Sequence, residues 1–220
     1  MRNKFCDQLK ELNCELIEMG KLCEEAIAAA VQAFLARSDI DELCRRAEEA
    51  DRHIDRMERE IEALCLKLLL RQQPVAGDLR AISSALRIIS DMERIGDQAA
   101  DIAEISRHAK GGELKSRVHI SDMAYASRKM VERSVDSFVQ KDLYAAREVL
   151  RYDDVVDELF ERVKVEIAEL ISRDGGTAEV CIDLLMTAKY LERIADHAEN
   201  IAEWVEFFVT GKHPDDGVEQ

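Results

Sequence analysis

Proline is almost missing from this chain of 220 residues, which has only Pro74 and Pro214. Glycine is scarce as well, at nine. A β-sandwich or barrel of this length needs far more turn punctuation, so the composition argues against both. No apolar run approaches the ~18 residues of a membrane span. The stretch from Ala26 stops at Gln32, and the first twelve residues are charged throughout, unlike a signal peptide. Basic residues are in deficit, 31 against 46 acids, for a formal charge of −15. That argues against nucleic-acid binding and against docking on an anionic membrane, since both need a basic face. No Cys-x-x-Cys pair occurs among the six cysteines, which removes zinc ribbons and thioredoxin-like motifs. The expectation is a cytoplasmic, soluble chain with small buried thiols in a reducing compartment. Aromatics make up only 5%, and Trp204 is expected to pack at a bundle end.

What the chain has is helical periodicity. Phe5, Leu9, Leu12, Leu16, Met19, Cys23, Ala26, Ala30 and Phe34 recur at steps of three and four. Leu43, Ala47, Ala50, Ile54, Met57, Ile61, Leu64 and Leu68 repeat the pattern. Ser38 is placed to cap this second helix, and Pro74 ends it. A third helix runs to about Arg107, before Gly111-Gly112 and a polar stretch. A fourth is expected over residues 122–140 with Ser121 as its cap, and a fifth follows from Asp142 to about Arg173. Gly175-Gly176 stops the fifth, and Thr177 can cap a sixth. The fold class is therefore all-α: a tandem repeat of two three-helix bundles, residues 1–110 and 111–220, with six long antiparallel helices.

An internal repeat supports this division. The twelve residues from Glu93 to Glu104 match those from Glu192 to Glu203 at eight positions, at an offset of 99. Asp51-x-x-Ile54-Asp55 matches Asp153-x-x-Val156-Asp157 at an offset of 102. Two copies related by a pseudo-twofold axis explain both.

Each repeated element holds an acid-x-x-x-acid pair: Asp51/Asp55, Glu93/Asp97, Asp153/Asp157 and Glu192/Asp196. The third-helix copy extends to Asp101 and the sixth-helix copy to Asn200. Side chains four apart on a helix have Cβ atoms about 5–6 Å apart, so two carboxylates there repel unless a cation lies between. With 46 acids in the chain, about nine such pairs arise by chance, so one pair alone carries no signal. Recurrence at equivalent points, beside the apolar stripe, does. Metal ions and an Arg94/Arg193 carboxylate network remain alternative compensators for that desolvated charge. Enzyme signatures are missing: no Glu-x-x-His, no phosphate loop and no Gly-x-Ser-x-Gly occur. His197 has Gln98 as its repeat counterpart, and His53 is expected to face solvent. Gly96 inside a helix points to close helix approach or backbone access.

At these residues the chain resembles the PhoU family of phosphate-signalling regulators. The segments that carry the resemblance are Asp51-x-x-Ile54-Asp55, Arg71-Gln72-Gln73-Pro74-Val75-Ala76-x-Asp78-Leu79-Arg80, Ser90-Asp91-Met92-Glu93-Arg94-Ile95-Gly96-Asp97 and Tyr190-Leu191-Glu192-Arg193-Ile194-Ala195-Asp196-His197. The resemblance covers essentially the whole chain. It implies a non-enzymatic cytoplasmic regulator that dampens the phosphate-starvation response. It also implies two partners, the ATPase subunit of a phosphate ABC transporter and a phosphate-sensing histidine kinase, with membrane association only through them. By position it makes Asp51, Asp55, Glu93, Asp97, Asp101, Asp153, Asp157, Glu192, Asp196 and Asn200 ligands for divalent or trivalent metal ions. Iron comes first, with zinc, manganese or magnesium as alternatives. Asn200 in place of an acid implies a second site with fewer charges. A homodimer is a further expectation. The competing readings are a structural helical scaffold and a metal-dependent enzyme built on the clustered carboxylates.

Overall fold

The computed structural model describes residues 2–36, 38–72, 74, 76–109, 114 and 118–212. Among them no strand occurs. The six long helices are α1 (Arg2–Leu35), α2 (Ile40–Gln72), α3 (Gly77–His108), α4 (Ile120–Gln140), α5 (Leu143–Arg173) and α6 (Ala178–Thr210), with a 3-10 turn at Gly175–Thr177 before the last. The stripes read from the sequence are the buried faces. Leu12, Leu16, Met19, Cys23, Ala26, Ala30 and Phe34 of α1 are buried, as are Ala47, Ile54, Met57, Ile61 and Leu68 of α2. Cys23, Cys44, Cys65 and Cys181 are buried, but Cys6 and Cys14 are exposed. The two exposed thiols fall beside the α1 stripe, one residue from Phe5 and two from Leu12 and Leu16, so the expectation of uniformly buried thiols fails there.

Helices α1, α3, α6 and α4 pack in a closed ring, each against the next. Helix α2 lies on α1 and α3, and α5 lies on α4 and α6. Two three-helix repeats thus meet across α3–α6 and α1–α4 and share one continuous core. The repeat boundary at Gly111-Gly112, and residues 213–220, lie outside the described residues. At Gly20 of α1 a Cβ would stand 3.2 Å from Val135 of α4, so the missing side chain lets the two repeats approach closely.

The helix starts follow local chemistry, with three departures from expectation. Asp142 caps α5 as read, its carboxylate accepting from the N–H groups of Tyr144 and Ala145 at 2.9 and 3.0 Å. Helix α4 begins at Ile120, so Ser121 lies inside its first turn. Burial of Ile120 and the 3.1 Å bond from His119 N–H to Glu166 draw the start earlier. Ser38 does not cap α2; its hydroxyl donates to Asp39 at 3.0 Å, and Asp39 supplies the carbonyl that accepts from Leu43 N–H. Thr177 makes no capping bond to α6, because its hydroxyl donates back to the Asp174 carbonyl at 2.6 Å. Helix α2 ends two residues before Pro74, as the proline requires. Asp142→Ala is expected to cost about 1 kcal/mol, and Ser121→Ala less than about 0.5 kcal/mol. Chemical denaturation of the two variants beside the parent checks this contrast.

Candidate functional site

The repeated acids lie in two ridges, one where α2 packs on α3 and one where α5 packs on α6. In the first ridge the Asp51 carboxyl sits over Gly96, whose added Cβ would be 2.9 Å from Asp51 Oδ1 and 3.1 Å from Ile54 Cδ1. This accounts for the glycine: the backbone of α3 makes room for the α2 carboxylate. Asp51 Oδ1 is buried and has no hydrogen-bond partner. Burial, together with Asp55, Asp97 and Asp101, pushes the Asp51 carboxyl up to about 6. Glu93 is raised by burial and by Asp97. Asp101 is raised by burial, against a hydrogen bond from Tyr190 that favours its charge. Arg94 lies 3.5 Å from Glu93 and 3.8 Å from Asp97, and Arg59 lies 3.7 Å from Asp55. These are long, largely solvated contacts, so the arginines offset the ridge charge only in part.

The second ridge repeats the design with different details. Burial, Asp157 and Asp196 push Asp153 up to about 6. Asp196 is raised by burial and by Glu192. Lys189 pairs with Glu192, where the equivalent Ser90 of the first repeat instead donates to Glu58 at 3.3 Å. Glu199 joins this ridge: burial and then Asp153 push it up to about 7, with further contributions from Glu203, Asp196 and Asp157. The sequence reading missed Glu199 because its counterpart is Ala100, so the repeat carried no trace of it. The ridge lacking an acid at 200 has one at 199.

Asp101 and Asn200 stand where α3 crosses α6. Asn200 donates to Asp91 at 3.3 Å, and His197 Nδ1 meets the same Asp91 oxygen at 3.0 Å. A carboxylate accepts only, which places the proton on Nδ1. Tyr190 donates to Asp101 in the mirrored contact. Asp91 and Tyr190 share one repeat position, and Asp101 and Asn200 share another, so the pseudo-twofold builds one contact twice. Arg193 stands by the Asp101–Tyr190 pair. The partner roles of Asp91 and Tyr190 were not read from the sequence, because they depend on which helix lies opposite; Lys189 pairs with Glu192 three residues along its own helix, a local contact the sequence reading did not single out. His53 faces solvent, as expected. Trp204 packs edge-on against Phe207 with Arg87 over its ring.

Apart from the Asn200 amide the donor set is carboxylate, which suits hard cations, and it includes the buried Asp51 oxygen that has no hydrogen-bond partner. Among the described residues, however, no three His, Cys, Asp or Glu side chains converge into a closed cage. The carboxylates form rows along the helices. Asp51 and Asp153 titrate higher in the folded chain than in the unfolded one. The folded state therefore holds more protons between about pH 4 and 6, and stability from these groups falls as pH rises through that window. In chelator, Asp51→Asn with Asp153→Asn is expected to raise the melting temperature at pH 7.5 by about 2–4 °C for each kcal/mol relieved. The gain disappears at pH 4, where both parent carboxyls are protonated; thermal melts at the two pH values check it.

Comparison with known proteins agrees with this geometry in both halves. The family model for the PhoU domain matches residues 16–106 and again 120–205. A phosphate-specific transport system accessory protein PhoU homolog of Clostridium acetobutylicum is 35% identical over 216 residues, 97% of this chain and 98% of its own length. The homolog of Aquifex aeolicus is 38% identical over 191 residues, covering 86% of each chain. The crystal structure of PhoU from Pseudomonas aeruginosa superposes with a TM-score of 0.86 at 31% identity, over 94% of this chain and all of that one. With both repeats matched, and relatives aligned along nearly its whole length, this chain belongs to the PhoU family.

Proposed function

We propose that this protein is a cytoplasmic negative regulator of phosphate uptake and of the phosphate-starvation response. It acts as an adaptor between the ATPase subunit of a phosphate ABC transporter and a phosphate-sensing histidine kinase. The observation that carries this reading is the alignment of both repeats with proteins named as phosphate-specific transport system accessory proteins. Among the described residues no helix is long and apolar enough to cross a membrane. The chain reaches the transporter through its partners in this reading. No residue is assigned a catalytic role.

The two ridges hold metal ions in this proposal. Asp51, Asp55, Glu93, Asp97 and Asp101 form the first set. Asp153, Asp157, Glu192 and Asp196 form the second, with Glu199 supplying the carboxylate that Asn200 lacks. A bound ion would neutralise charge that burial makes costly, and so tie α2 to α3 and α5 to α6. The orphaned Asp51 oxygen supports this reading.

Deleting the gene is expected to raise alkaline phosphatase activity several-fold in phosphate-replete medium, and the wild-type chain restores repression. An unchanged reporter would overturn the regulatory role. Native protein is expected to carry iron or another transition metal by elemental mass spectrometry, and the variant combining Glu93→Gln with Glu192→Gln to lose most of it. Protein that takes up no metal from iron, manganese or zinc solutions would remove the metal assignment and leave the reporter result standing.

A further inference from the structure

The central ring of α1, α3, α6 and α4 has four outer grooves, and the fold fills two of them with its own helices. Helix α2 occupies the α1/α3 groove and α5 the α4/α6 groove. The α3/α6 crossing is bridged by Asp91 with His197 and Asn200. Among the described residues no helix fills the α1/α4 groove. Three cavities of about 210, 280 and 120 Å³ follow it. They extend along α1 from Ile17 to Gln32, roughly four turns or about 23 Å at 1.5 Å per residue.

The groove has two chemistries. At one end a half-buried Ala28 and an exposed Tyr125 line the groove, over Ile27, Val31 and Ala124, which the chain already buries. Ala28 and Ala124 are small, which leaves room for a helix to settle close to the backbone. At the other end Glu24, Glu132 and Asp136 gather around Gly20. The Glu24 carboxyl is raised by burial and by Glu132, with Asp136 adding to both, and Arg128 and Lys21 offset this only partly. Acidic charge there lacks a full counterpart within the chain.

We propose that this groove docks a helix supplied by a partner protein. The partner helix is amphipathic and about four turns long, with an apolar ridge on Ala28 and Tyr125. Basic residues on it meet Glu24, Glu132 and Asp136. Charge complementarity selects this occupant, because a second copy of a chain carrying −15 brings acid against acid. The fold supports the geometry, since two grooves of the same ring already accept helices in this way.

The test uses the full chain and a fluorescein-labelled 16-residue peptide, with leucine at heptad spacing and lysine or alanine elsewhere. Its twin carries glutamate for lysine. Fluorescence anisotropy is expected to show saturable one-to-one binding of the lysine peptide, and binding of the twin weaker by about tenfold or more. Glu132→Lys with Asp136→Lys, both at exposed positions, should weaken the lysine peptide about tenfold. Ala28→Trp, which fills the floor without changing charge, should weaken it similarly. Glu60→Lys with Glu62→Lys, an equal charge change on the outer face of α2, should leave affinity within about twofold. The proposal is overturned by equal losses in the two charge-swapped variants, by unchanged affinity in folded Ala28→Trp, or by no saturation below about 1 mM. Circular dichroism of each variant confirms the helical fold, and the exposed charge swaps keep the test decisive if Ala28→Trp does not fold.

Discussion

Helices α3 and α6 run antiparallel past each other at the centre of the molecule, and the other four helices take their places from that crossing. Both are lined with small buried residues, including Ala99 and Ala103 on one and Ala195, Ala198 and Ala202 on the other. Small side chains let two long helices approach closely, and the close approach desolvates whatever polar groups stand beside it. The molecule meets that cost with paired contacts. Asp91 receives His197 and Asn200, and Asp101 receives Tyr190. Because the crossing lies on the pseudo-twofold axis, one pair of repeat positions serves both contacts. Duplication therefore preserved the arrangement while the side chains diverged.

The same packing creates the tension in the carboxylate ridges. An acid on an outer helix is pressed against an inner helix that carries acids of its own. Burial then raises Asp51 and Asp153 to about 6 and Glu199 to about 7. The two ridges handle the crowding differently. In the first, Gly96 withdraws a side chain so that the Asp51 carboxyl can lie on the backbone of α3. In the second, Ala195 takes the glycine's place, Lys189 pairs with Glu192, and Glu199 adds a further acid. The ridges are thus related but chemically unequal, which a symmetric repeat alone would not suggest.

Much of this was legible beforehand. The three-and-four spacing on α1 and α2 predicted their buried faces, since a soluble helix must turn its apolar stripe inward. The offset of 99 announced two bundles, and Gly96 announced a close approach. The caps were less legible. Asp142 was found because its role is local, whereas Ser121 failed because burial of Ile120 outweighed a good capping residue one position later. Cys6 and Cys14 were misplaced because a position beside an apolar stripe can face either way.

The sequence by itself determined the helices, their pairing into two repeats and the four acid pairs, because periodicity and duplication are properties of one chain read in order. Only the tertiary structure decided which acids share a ridge with Glu199, which residues bridge α3 and α6, and which grooves of the central ring the described helices fill. Those depend on residues far apart in sequence meeting across helices, at distances that no spacing along one helix encodes.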